Sequence, residues 1–246
     1  MEENNTLFPL CKNCNEPVHG NYCANCGDPI KLKRIDKQYI MNDISDFFLT
    51  HKGLFYTVKK VFITPGKSIR QFIAEDRHRF VKPITFVIIT SLFYAIINHI
   101  FSIGAEDYYD PSKLESESTP ALLMKWILID YPGYSNLLIG LFMAFWIKIF
   151  FKKAGYNIFE IFVLMCFITG VGTLYMSLAA IIQGFIHVKI LQIASYIGII
   201  YYTWAIGQFF DKKKIASYLK GFLSYIFGTL VLGFLIGLVG TIIDMI

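Results

Sequence analysis

Residues 218–243 read YLKGFLSYIFGTLVLGFLIGLVGTII. After Lys220 no Asp, Glu, Lys, Arg or His occurs until Asp244. A helix needs about 20 apolar residues to cross a hydrocarbon core of ~30 Å, so this stretch predicts a transmembrane helix. Working back along the chain, four more apolar runs precede it, at about 190–210, 158–186, 134–151 and 84–103. A soluble core helix can explain one such run but not five in series, because soluble apolar stretches seldom reach 18 residues. The 158–186 run is long for a bilayer and is expected to tilt, or to leave the membrane before His187.

Composition agrees. The 246 residues are 55% hydrophobic and only 17% charged, with a mean hydropathy of +0.50. Soluble domains carry about 25% charged residues, so an ordinary cytosolic enzyme, a disordered chain and a disulfide scaffold are all excluded. Aromatic residues make up 17%, of which interfacial belts explain a part.

The sign of the charges sets an expected topology. With the N-terminal region inside and the spans alternating, 20 of the 23 Lys and Arg fall on the inner side. Only Lys113, Lys125 and Lys189 fall outside. This asymmetry predicts a cytoplasmic N-terminus and an outer C-terminus. The first twenty residues carry Glu2, Glu3, Cys11 and Cys14 and no apolar core, so they do not read as a signal peptide.

Residues 1–35 are polar and hold four of the five cysteines. They form two Cys-x-x-Cys pairs, Cys11/Cys14 and Cys23/Cys26. Each pair can fold into a knuckle that presents two thiolates, and two knuckles complete a tetrahedral shell suited to a single structural Zn2+. Asn15 and Gly27 follow the two knuckles, where a positive φ is often required. His19-Gly20-Asn21 can turn the chain between them. A cytoplasmic location argues against disulfides. The reading is a cytoplasmic zinc ribbon, with His19 a turn residue and Cys166 a packing residue of the third span.

Residues 36–82 alternate apolar and basic positions. Tyr39, Ile40, Ile44, Phe47 and Phe48 recur at helical spacing after Asp36, a cap; Leu54, Phe55, Val58, Val61 and Phe62 do so again. Thr64-Pro65 starts a further helix with Ile69, Phe72 and Ile73 on its apolar face. Lys59, Lys60, Lys67, Arg70, Arg77 and Arg79 are candidates for contact with anionic lipid headgroups or a partner's acidic groups. The expected fold class is therefore an all-α integral membrane protein. It comprises a small N-terminal zinc ribbon (1–35), interfacial amphipathic helices (36–82) and a five-span helical bundle (83–246).

No Asp, Glu, Lys, Arg or His lies near the middle of a span, which argues against ion-coupled transport. Glu160, near the inner start of the third span, reads as an acid favourable to the helix dipole. Thr229, Gly233, Gly237 and Thr241 recur every four residues and mark a helix-packing face with a GxxxG match. No nucleophile–base set and no phosphate-binding glycine loop occurs, so the expectation is non-enzymatic. The ribbon is only weakly basic, and nucleic acid is an unlikely partner.

The order of motifs resembles a known family. Cys11-x-Asn13-Cys14, Tyr22-Cys23-x-x-Cys26-Gly27 and Arg34-Ile35 are followed by His51-Lys52-Gly53-Leu54-Phe55-Tyr56-Thr57. Then come Pro65-Gly66-Lys67-x-Ile69-Arg70-x-Phe72-Ile73 and Arg79-Phe80-x-Lys82-Pro83. This looks like an uncharacterised family of bacterial inner-membrane proteins with an N-terminal zinc ribbon and a helical membrane domain, a domain of unknown function. The resemblance covers about residues 11–97. It implies the bacterial inner membrane as location and supports the zinc site, but implies no activity. Asp28 stands where the family often has Gln, which leaves the metal ligands undisturbed. In architecture alone the bundle is similar to Yip-type trafficking proteins, a weak warrant for function.

The function expected is partner or membrane interaction through the ribbon and the basic helices, with the lipid bilayer and an unidentified cytoplasmic protein as partners. Alternatives are a channel or transporter formed by the bundle, and a membrane-active effector regulated through the ribbon.

Overall fold

The computed structural model describes residues 9–27, 29, 34–39, 53–75, 77, 79–103, 119–125, 132–186 and 188–244. Two short helices, α1 (Leu54–Ile63) and α2 (Pro65–Ala74), precede the first long one, α3 (Pro83–Ile100). After α4 (Thr119–Lys125) come α5 (Pro132–Phe150), α6 (Ile158–Ile186), α7 (Ile190–Phe210) and α8 (Ile215–Asp244). Asp36 accepts a bond from the Tyr39 amide at 2.9 Å, as a cap would; the expected helical positions Ile40, Ile44, Phe47 and Phe48 lie outside the described residues.

Four helices, α3, α6, α7 and α8, are long and apolar enough to cross a membrane. The fifth expected span is α5, a 19-residue helix whose described apolar part is Leu137–Phe150 and so falls short of that length. Prolines start the helices where the chain enters them: Pro65 opens α2 and Pro83 opens α3, each at a position whose amide needs no intrahelical partner. Thr64 does not cap α2 with its side chain as the Thr-Pro pair predicts. Its hydroxyl bonds instead to the Lys60 carbonyl at 3.2 Å and to Ser68 Oγ at 3.0 Å, closing α1.

The long third run is accommodated at one end. The Phe86 ring covers Gly170 and the Phe101 ring covers Gly184, so α3 and α6 run side by side at constant offset. Pro83 is then level with about residue 167, and the first nine residues of α6 project past α3 by roughly 13 Å. The projecting part is walled by Ile69, Phe72 and Ile73 of α2, by Phe80 and Val81, and by Ile35, all buried in one core with Ile161, Leu164 and Phe167. Phe167 is its hub: Phe72, Phe80 and Phe86 pack on it with ring centroids 5.0, 6.2 and 5.9 Å away. Such aromatic groups, edge-to-face for Phe72 and Phe80 and tilted for Phe86, account for aromatic content that membrane belts leave unexplained.

The principal core therefore sits at one end of the bundle, the end where Lys148, Lys152, Lys153, Lys212, Lys213, Lys214 and Lys220 also gather. We call it the basic end. Toward the other end a smaller cluster of Tyr94, Ile97, Ala179, Ala180, Leu191 and Ala194 joins α3, α6 and α7. Many large apolar side chains of the spans point outward, among them Phe185 of α6 and Phe234 of α8, as a lipid-facing surface requires.

The face of α8 buried within the chain lies one residue round from the expected stripe. Ser217, Gly221, Ser224, Gly228, Leu232, Ile236 and Gly240 are buried. A Cβ at Gly228 would stand 2.8 Å from Met143, and one at Gly240 would stand 2.6 Å from Pro120. By contrast Gly237 has open space around it, Gly233 is half-buried, Thr241 is exposed, and Thr229 bonds back to its own helix through the Tyr225 carbonyl. Adjacent stripes differ by about 100° of helix rotation, and the shapes of α5 and α7, not the spacing, select between them.

Candidate metal centre and its seat on the bundle

The four cysteines come together. Their sulfurs all lie within 4.8 Å of one another, and all four thiols are free of disulfides. Each short contact joins the two knuckles: Cys11 Sγ to Cys26 Sγ at 3.5 Å, and Cys14 Sγ to Cys23 Sγ at 3.4 Å. A tetrahedral metal with bonds of ~2.3 Å to sulfur needs sulfur separations of about 3.8 Å, so the cluster fits one four-coordinate ion. Cys11 and Cys23 are buried together with Val18, the other two cysteines packing beside them. Four thiolates fill the shell and leave no position for a reacting water.

The knuckles are built as the spacing predicts. Asn15 N–H donates to the Cys11 carbonyl and Gly27 N–H to the Cys23 carbonyl, each at 2.9 Å. Asn15 has φ 61° and Gly27 has φ 75°, the left-handed values that Asn and Gly tolerate best. Isolated antiparallel bridges join Leu10 to Pro17 and Tyr22 to Pro29. Regular strands are absent among the described residues, so the segment is a pair of knuckles with minimal hairpin arms. Leu10 and Tyr22 are exposed.

Two arginines hold this segment against the bundle. Arg34 Nε donates to Glu160 Oε1 at 2.9 Å, and Arg34 Nη2 to Glu160 Oε2 at 3.0 Å and to the Gly155 carbonyl at 2.6 Å. Glu160 is buried in the first turn of α6. Its Oε2 also accepts the Asn157 amide at 2.7 Å, while Asn157 Oδ1 accepts the Glu160 amide at 2.8 Å. That reciprocal pair is a capping box, which satisfies two amides that the helix start leaves without partners. The hydrogen bond to Glu160, and then its charge, raise the Arg34 pKa above the ordinary guanidinium value. Asn157 Nδ2 donates to the Ile35 carbonyl at 2.8 Å, tying the linker to the same turn. Arg79, just before α3, reaches the Asn13 carbonyl of the first knuckle with Nη2 at 2.9 Å.

The other basic candidates divide into two groups. Lys59, Lys60 and Lys67 are exposed, with Phe55, Phe62 and Ile63 exposed beside them on α1, an arrangement suited to a headgroup layer. Arg70 and Arg77 are instead turned into the fold. Arg70 Nη1 donates to the carbonyls of Gln208, at 2.8 Å, and Phe209, capping the end of α7. Arg77 Nη2 donates to the Ile73 carbonyl at 3.0 Å, and its guanidinium lies 4.9 Å from the Tyr39 ring centre. Burial lowers the Arg77 pKa. A basic residue near a helix end reads alike from sequence whether it faces lipid or caps a distant helix. Thus the capping role of Arg70 and the Arg34–Glu160 pair left no local signal, whereas Arg77 bonds the last turn of α2, four and five residues upstream, where a basic residue just past a helix end is a local cue.

Comparisons with known proteins add little. No curated protein and no solved structure matches the chain. Residues 52–95, which cover α1, α2 and most of α3, match the model of a family described as a protein of unknown function, DUF3667, and over that segment the chain is similar to it.

Proposed function

We propose that the chain is a non-enzymatic integral membrane protein of the bacterial inner membrane, with one structural Zn2+ in a cytoplasmic ribbon that recruits a protein partner at the bilayer surface. The observation that carries this reading is the Arg34–Glu160 pair, which seats the four-cysteine segment on the basic end of the bundle. Zinc is the metal that suits four thiolates without redox chemistry, and a segment this short draws its folding free energy from the metal. Exposed Leu10 and Tyr22 offer the partner apolar contacts. The bundle crosses five times, α5 included, which puts the basic end in the cytoplasm and Asp244 outside.

Three measurements on the full chain test this. Metal analysis is expected to find one zinc per chain, lost in Cys11→Ser/Cys23→Ser. Affinity purification with cross-linking is expected to retain a cytoplasmic protein on the wild type and not on that variant, with the helical signal of the bundle unchanged. An identical set of proteins on both would sink the recruitment role. A C-terminal reporter active only in the cytoplasm would overturn five spans.

A further inference from the structure

A second site lies on the same end of the bundle, away from the cysteines. A cavity of about 480 Å³ opens between the α5–α6 turn and the α7–α8 turn, and four lysines line it: Lys152, Lys153, Lys214 and Lys220. All four are exposed at its rim. The acid lining it is Asp211, which takes Lys214 in an ion pair at 3.2 Å. The lining thus carries three positive charges more than negative ones.

The wall behind the lysines is aromatic. Phe151 and Phe210 stack with centroids 3.8 Å apart and planes 9° from parallel. Lys220 Nζ donates to the Phe150 carbonyl at 3.1 Å and stands 5.4 Å from the centre of the Phe151 ring. An ammonium has three N–H donors, so this fixes the Lys220 stem while leaving donors for a ligand. Apolar Ile149, which also lines the cavity, is exposed on the flank of α5. Positive charge above and apolar wall to the side make a site for an anion attached to an acyl chain, not for a free solute.

We infer that this cavity binds the headgroup of a phospholipid bearing two phosphates, with Lys152, Lys153, Lys214 and Lys220 as its phosphate ligands. Four ammonium groups facing one carboxylate repel one another at the low-dielectric edge of a bilayer, and two phosphates bring the balance close to neutral. A singly charged headgroup leaves two charges unmatched, and a zwitterionic one leaves three. The inference rests on the bundle lying in a bilayer with its basic end at a headgroup layer, and is independent of the metal in the ribbon.

Native mass spectrometry of the full chain in detergent, titrated with cardiolipin, phosphatidylglycerol, phosphatidylcholine or inorganic pyrophosphate, tests it. Cardiolipin is expected to be retained at one per chain, at least tenfold more tightly than phosphatidylglycerol, with phosphatidylcholine not retained. Lys152→Gln/Lys153→Gln is expected to weaken that retention tenfold or more, and Lys152→Arg/Lys153→Arg to keep it. Lys37→Gln/Lys189→Gln, equal in charge change but away from the cavity, is expected to leave it unchanged. Equal loss in the two glutamine variants, or equal retention of phosphatidylcholine, overturns the site. Retention of pyrophosphate without lipid overturns the lipid assignment. Zinc content and the melting temperature without lipid, read on the same preparations, separate failure of this site from loss of the ribbon or of the fold.

Discussion

Arg34 and Glu160, 126 positions apart, meet through two parallel hydrogen bonds that join the cysteine segment to the start of α6, the most buried of the long helices. The geometry matters because Glu160 has a second task. The same carboxylate closes the capping box of α6, so one side chain both starts a helix and holds a neighbouring module in place.

Separating those tasks gives the first prediction. Arg34→Ala removes the docking contact and leaves the capping box intact. Hydrogen exchange is expected to speed up over residues 9–27 and 34–36 while the α6 amides keep their protection. Glu160→Ala is expected to loosen both. Equal effects of the two variants on α6 would show that the pair does not divide in this way.

Asn157→Ala tests the cap from its other side. Loss of the Asn157 side chain removes the acceptor for the Glu160 amide and the donor to the Ile35 carbonyl. A lost N-cap costs about 1 kcal/mol, and the Ile35 bond adds to it, so denaturant titration in micelles is expected to show a loss of roughly 1–2 kcal/mol. Asn157→Asp keeps the acceptor and is expected to recover the capping share alone.

Close packing of α2 on α7 depends on Gly66. A Cβ there would collide with the backbone carbonyl of Gln208, which cannot move aside as a side-chain tip can. Gly66→Ala is expected to destabilise the chain by about 3 kcal/mol, the upper part of the range for overpacking. Gly237→Ala, in open space within a helix, is expected to be neutral or stabilising by up to about 1 kcal/mol, since alanine restricts the unfolded chain. Comparable losses at both positions would place the packing face of α8 wrongly.

Arg70 and Lys67 lie three residues apart on α2 and are expected to behave differently. Arg70→Ala leaves the last carbonyls of α7 without their guanidinium, and a hydrogen bond to a charged group contributes about 1.5–3 kcal/mol. A melting-temperature drop is expected for Arg70→Ala in detergent and none for Lys67→Ala. In vesicle binding by a soluble fusion of residues 53–75 the difference is expected to vanish, since Arg70, without the Gln208 and Phe209 carbonyls of α7, is as free as Lys67 to meet anionic lipid.

Acidification tests the metal centre. Thiols must lose their protons to bind metal, so metal affinity falls as pH falls. Metal release is expected to melt residues 9–27 first and leave the bundle helical, readable as a loss of protection confined to that segment. Release together with a collapse of helical signal would contradict a module that is merely seated on the bundle.

How much of this was legible beforehand follows from the range of each interaction. Hydropathy places α6 at Ile158–Ile186 and α7 at Ile190–Phe210, and the spacing of Cys11, Cys14, Cys23 and Cys26 with Asn15 and Gly27 defines the knuckles. Those features are encoded within a few residues of one another, by apolar run length and by the backbone conformation a tight turn demands. Other features belong to pairs far apart in the chain. Arg34 finds Glu160, Arg70 finds the end of α7, four lysines from two turns and the first turns of α8 surround one cavity, and Gly221 and Gly228 pack where Gly237 does not. Each of these depends on which faces are brought together when helices close-pack. A regular small-residue repeat or a basic residue is compatible with several partners, and shape complementarity in the folded bundle selects one.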